Sequence, residues 1–121
     1  MHARRATPMY LVEDLDEARL RYVSLGFVPK DTDDEGCCGV SAGLTHIILL
    51  NRDYAERSLP PRAVTLLEER PALYIWVESL EGVRAELRGT FLGEVNMAGL
   101  REWAVESDQG LMVFAETSRP H

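Results

Sequence analysis

The sequence predicts an α+β fold built from two βαβββ modules. Three observations carry that reading. Val12-Glu13-Asp14-Leu15 returns as Val77-Glu78-Ser79-Leu80, an offset of 65 residues. Each copy closes a strand-like apolar stretch and opens a helical pattern. Each helix is followed by three short strand candidates separated by turn residues.

The elements follow in order. Thr7-Pro8-Met9-Tyr10-Leu11-Val12 is the first strand. Asp14 then caps a helix, and Glu17, three residues on, is placed to complete a capping box. Leu15, Ala18, Tyr22 and Leu25 fall on one helical face, and Gly26 stops the helix. Strands are expected at 27–30, 37–41 and 45–50, with an acidic turn from Asp31 to Gly36 between the first two. The second module opens with Ala72-Leu73-Tyr74-Ile75-Trp76-Val77. Its helix is capped by Ser79, striped by Leu80, Val83 and Leu87, weakened by Gly82 and ended by Gly89. Strands are expected at 91–96, 101–106 and 111–115, the last two joined by a turn at Ser107-Asp108-Gln109-Gly110. The modules therefore span about 6–50 and 72–116 within one domain of 121 residues. Residues 51–71 connect them. Pro60-Pro61 interrupts regular structure there, and Ala63 to Leu67 reads as a short strand or a turn of helix. The connection is expected to be a surface loop, with a cover over a binding site as the alternative.

Composition narrows the function. A chain 45% hydrophobic and 27% charged is a folded, soluble one. Its formal net charge of −7, spread evenly along the chain, argues against nucleic acid, which needs a concentrated cationic face. The longest apolar run, Ile47 to Leu50, is too short to cross a bilayer, and no apolar stretch follows the basic start, so a cytoplasmic location is expected. The adjacent Cys37 and Cys38 do not readily form a disulfide and are expected to be reduced and partly buried. They lie beside Asp33-Asp34-Glu35, which opposes a reactive thiolate. His46 is the one histidine within a strand and reads as structural; His2 and His121 are terminal. No Ser-His-Asp arrangement or phosphate loop is visible.

The duplicated βαβββ unit, with Val12-x-Asp14-Leu15, the Tyr22…Leu25-Gly26-Phe27 helix exit and Asp108-x-Gly110 before the last strand, resembles the vicinal oxygen chelate superfamily of glyoxalases, bleomycin resistance proteins and dioxygenases. The resemblance runs from about Ala6 to Glu116 and implies a curved mixed sheet with ligands on its concave face. Ala6-Thr7-Pro8, Tyr74-Ile75-Trp76-Val77 and Arg101-Glu102-Trp103-Ala104-Val105 are most similar to the bleomycin resistance branch. The superfamily's enzymes hold a divalent ion at four strand positions, which here fall on Thr7, Ile47, Ala72 and Phe114. None is an imidazole or carboxylate donor, so no metal and no cofactor are expected. Bleomycin-binding relatives stack the drug between an aromatic early in the third strand and a Trp before the penultimate one. Cys37 and Gly99 stand at those places, with Trp103 four residues further on as a substitute.

Strand periodicity divides the faces. Leu73, Ile75 and Val77 are expected against the helix, and Tyr74 and Trp76 in the concavity. In the first strand Pro8, Tyr10 and Val12 go to the helix, and Thr7, Met9 and Leu11 to the concavity. The expected ligand-binding residues are Met9, Cys37, Ile47, Tyr74, Trp76, Trp103, Met112 and Phe114. Such an apolar, aromatic lining suits a flat aromatic or cationic small molecule, with a cation–π contribution from Trp76 or Tyr74. The resemblance implies a metal-free binding protein that sequesters its ligand, acting as a homodimer. The alternative is a glyoxalase-like lyase or a dioxygenase with an atypical metal site gathered from His46, Glu116 or the cysteines.

Overall fold

A computed structural model of the chain describes residues 3–97 and 101–117. Gly99, His2 and His121 lie outside the described residues. The order is β1 (Ala3–Leu11), α1 (Leu15–Ser24), β2 (Val28–Asp31), β3 (Cys37–Ala42), β4 (Thr45–Leu50), α2 (Arg52–Ser58), α3 (Pro61–Glu69), β5 (Ala72–Val77), α4 (Leu80–Glu86), β6 (Thr90–Val95), β7 (Glu102–Ser107) and β8 (Gly110–Glu116). The strands form one mixed, open sheet in the order β2-β3-β4-β1-β5-β8-β7-β6. At its centre β1 and β5 run antiparallel, with Thr7 opposite Tyr74 and Met9 opposite Ala72. Each also has a parallel neighbour: Met9 faces Ile48 on β4, and Tyr74 faces Val113 on β8. Met9 to Tyr74 and Ile48 to Val113 both step by the same 65 residues as the sequence repeat.

Local chemistry sets the two module helices. Asp14 caps α1 by accepting the Glu17 N–H at 3.0 Å. Glu17 does not reach back to complete the capping box; its carboxylate takes the Arg21 guanidinium instead. Ser79 caps α4 through the Gly82 N–H at 3.2 Å, and Glu116 accepts the Leu80 N–H at 3.1 Å. The α4 helix ends at Leu87, short of Gly89. Leu15 and Ala18 of α1 pack on Cys38, Val40 and Leu49. Leu80 and Val83 of α4 pack on Ile75, Val77, Val105 and Phe114. Both helices therefore lie on one side of the sheet, called here the outer face.

The connection is not a surface loop. The Asn51 side chain caps α2 by accepting the Tyr54 N–H at 2.8 Å. Pro61 then occupies the first turn of α3, where its missing N–H costs nothing. Tyr54, Ala55 and Leu59 join Ala63, Val64, Leu66 and Leu67 in one apolar cluster on the opposite, inner face of the sheet. Their partners there include Met9, Leu50, Ala72, Tyr74, Leu111 and Val113. Ion pairs tie the hairpin to both modules: Arg57 to Asp34 at 3.1 Å and Arg62 to Glu106 at 2.8 Å. At its tip Asn96 N–H donates to Ser58 O at 3.0 Å. Pro60 comes so close to Gly93, at φ 146°, that a Cβ there would lie 2.9 Å from the proline Cγ.

Magnitudes separate a cover from a core. Burying Leu59, Val64, Leu66 and Leu67 contributes about 1.5–3 kcal/mol each, which together rivals the ~5–15 kcal/mol by which a whole small domain is stable. Surface ion pairs add only ~0–1 kcal/mol each. The hairpin is thus held by burial and is part of the core. Leu67→Ala is expected to destabilise the protein by about 2–5 kcal/mol. In urea, circular dichroism and tryptophan fluorescence should report a single coincident transition; an early hairpin transition would show a separable cover.

Candidate functional site

The inner face is the candidate site, and pairing register settles which side chains reach it. Met9, Cys37 and Tyr74 are on it as expected, buried beneath the hairpin. Trp76 is there too, half-exposed, with its ring edge-on to Tyr74 at 4.7 Å between centroids. Arg5 pairs with Trp76 across the β1–β5 ladder and holds its guanidinium 5.0 Å from the indole centroid.

Four expected lining residues are on the other side. Ile47 packs in the α1 cluster. Met112, Phe114 and Trp103 pack in the α4 cluster. Phe114 pairs with Ile75 and Trp103 with Phe114, so all three share the outer face. Trp103 instead makes an edge contact with Phe91 at 5.4 Å, with Arg84 over both rings. The error is one of parity. β4 from Ile47 and β8 read as continuous apolar runs, so alternation gives no face. Leu111, Val113 and Ala115 are the inward residues of β8.

The same register decides the metal question. The central inner positions on β1, β4, β5 and β8 are Thr7, Ile48, Ala72 and Val113. They offer one hydroxyl and no imidazole or carboxylate. The alternative donor set is split: His46 and Cys37 face inward, while Cys38 packs under α1 and Glu116 caps α4. Among the described residues no group of three His, Cys, Asp or Glu side chains comes together. The divalent ion of the superfamily's enzymes does not fit these residues.

One polar cluster lies inside the covered part, and the sequence reading missed it. Glu102 is 2% exposed on β7. It accepts the Tyr74 hydroxyl and, at 2.8 Å, the Met97 N–H. Tyr54 of α2 donates its hydroxyl to Met97 O at 3.2 Å. Burial, followed by the Glu102 carboxylate, pushes the Tyr74 phenol well above its usual range. Burial likewise pushes the Cys37 thiol up to about 11. Thr7, 2% exposed, has a hydroxyl with no hydrogen-bond partner. An isolated acid in a strand gave no sequence signal, since Glu102 reads as an ordinary solvated position.

A second concavity of about 1010 Å³ opens at the module 1 edge, lined by Asp14, Asp16, Asp31, Asp33, Asp34 and Glu35. Asp31 pairs with Arg19 at 2.9 Å. Asp34 accepts the Gly36 N–H at 2.8 Å and is held below the usual carboxylate range by Arg57. These contacts fix the turn between β2 and β3.

Two outcomes follow. A thiol whose pKa is raised on folding stabilises the fold below its unfolded value, so stability should fall as pH rises from about 9 to about 11. Cys37→Val should remove that part of the loss in urea titrations across this range. Tyr74→Phe takes a donor from buried Glu102 and is expected to cost about 1–3 kcal/mol in the same assay.

No family model and no curated protein matches the chain. Solved structures do. A glyoxalase/bleomycin resistance protein/dioxygenase superfamily member from Vibrio splendidus aligns over 96% of this chain and 100% of its own, with TM-score 0.62 at 15% identity. A hypothetical protein from Bacillus halodurans covers 100% and 99%, with TM-score 0.68 at 19% identity. An uncharacterized protein from Methanosarcina mazei covers 100% and 98%, with TM-score 0.52 at 15% identity. At these identities the likeness speaks to architecture, and the paired modules around β1 and β5 agree with it: the chain has the glyoxalase/bleomycin resistance fold.

Proposed function

We propose that the chain is a metal-independent binding protein for a small aromatic molecule, which it sequesters on the uncovered part of its inner face. The observation that carries this reading is Trp76. It is a half-exposed indole on the inner face, backed edge-on by buried Tyr74, at the border of the hairpin. An aromatic side chain held rigid by a packed neighbour is a ready stacking surface. The four central inner positions supply no donor set for metal chemistry, which favours holding over turnover. The covered part of the face is filled by the chain itself, so the ligand is one that rests on a surface of a few strands.

The reading has the protein acting as a homodimer. Leu20 and Leu25, exposed on and just after α1, are apolar surface of the kind a twofold contact covers. Sedimentation equilibrium is expected to give twice the 13.6 kDa of one chain. Titration with ethidium, bleomycin and naphthalene derivatives is expected to give saturable quenching by at least one of them. Trp76→Phe should weaken that binding about 3- to 10-fold, and Trp103→Phe should leave it unchanged. The reverse pattern would move the site to the outer face.

A further inference from the structure

The hairpin covers the inner face unevenly. The inward residues of module 2 that touch it, among them Tyr74, Val95, Ala104 and Val113, are buried. In module 1 the register brings a different set to the same face. Lys30 pairs with Gly39, Ser41 with His46, and Gly39 with Ile48, which in turn pairs with Met9. Arg5, Lys30 and His46 are exposed, and Ser41 and Ile48 half-exposed.

Charge is sorted on this face. Its uncovered strand positions carry Arg5, Lys30 and His46 and no carboxylate, in a chain of net charge −7. The inward carboxylates of β7 both belong to module 2 and are engaged there: Glu102 takes the Tyr74 hydroxyl and the Met97 N–H, and Glu106 takes Arg62. Two acidic groups of β2 and its turn are paired elsewhere, Asp31 with Arg19 and Asp34 with Arg57, and Asp33 and Glu35 line the edge concavity. Arg4, the neighbour of Arg5, reaches Glu78 at 2.7 Å. Arg5 instead lies over the Trp76 ring, and a guanidinium stacked on an aromatic face can still offer N–H groups to a bidentate acceptor.

We propose that the ligand of this face is a planar aromatic anion, its carboxylate or phosphate on Arg5 and its ring beside the Arg5–Trp76 pair. This rests on the aromatic-binding reading above and gives the ligand a charge. It replaces the cation that the aromatic lining suggested, because the Trp76 ring is already met by Arg5. Steering by the acidic remainder of the surface disfavours anions at long range, so the preference is a contact effect.

The test uses the full chain and three ligands that share one ring: 2-naphthoate, 2-naphthamide and 2-naphthylmethylammonium, followed by calorimetric titration at low salt. Naphthoate is expected to bind about tenfold more tightly than the amide, and the ammonium most weakly. Arg5→Gln should bring the ratio of naphthoate to amide affinity close to one, and Lys30→Gln, three strands from β1 on the same face, should leave that ratio unchanged. Both residues are exposed, so neither variant threatens folding. Equal or tighter binding of the amide or the ammonium overturns the anion assignment and leaves aromatic binding standing. No saturable binding of any of the three overturns both. A naphthoate preference that survives in Arg5→Gln, or that is lost in Lys30→Gln, places the anion elsewhere and overturns the site. 2-Naphthyl phosphate in a parallel titration separates the two acceptors: the tighter of it and naphthoate names the anionic group.

Discussion

A sheet has two faces, and both must be kept from water or made polar. That constraint organises this molecule. Each βαβββ module brings one helix, and both helices cover the outer face. The inner face of all eight strands would be bare without another layer. The chain supplies it from the connection between modules, folded into α2 and α3 and buried against Met9, Tyr74 and Val113. A short connection would leave this apolar surface exposed; a larger one would leave no room for anything else.

The result is a duplicated backbone with unlike halves. The central register repeats at a constant offset, so the strands of the two modules are placed alike. Their inner faces are not. Module 2 is packed under the hairpin and contains a buried carboxylate satisfied by a phenol and an amide. Module 1 keeps an open strip with Arg5, Lys30 and His46, bordered by the half-buried Trp76 of β5. The contact between Pro60 and Gly93 pins the hairpin tip on β6, while Arg57 reaches Asp34 in the turn between β2 and β3.

Much of the architecture was legible in the sequence, and the reasons are local. Asp14 and Ser79 announced both module helices because a capping side chain at a fixed distance before an apolar stripe has few other uses. Tyr74 and Trp76 were assigned to the correct face because aromatic and aliphatic residues alternate in β5. Ile47, Met112 and Phe114 were not, because the apolar runs of β4 and β8 do not alternate in polarity. The hairpin was missed although its marks are present: Asn51 as a cap, Pro61 in a first turn, and Ala63, Val64, Leu66 and Leu67 at helical spacing. Pro60-Pro61 read as a break when it is a start. The exposed basic strip was illegible for a different reason. Arg5, Lys30 and His46 come from three separate strands, and only pairing places them on one face.

The division between a packed half and an open one has a consequence for evolvability. Lys30, Ser41 and His46 bury little and contribute little to folding, whereas Tyr74, Val113 and Leu67 are fixed by their neighbours. Substitution in the first set changes what the surface selects without spending stability. Descendants of this chain are therefore free to diversify in ligand while the hairpin and the strands beneath it stay constant, an arrangement in which recognition drifts and the scaffold does not.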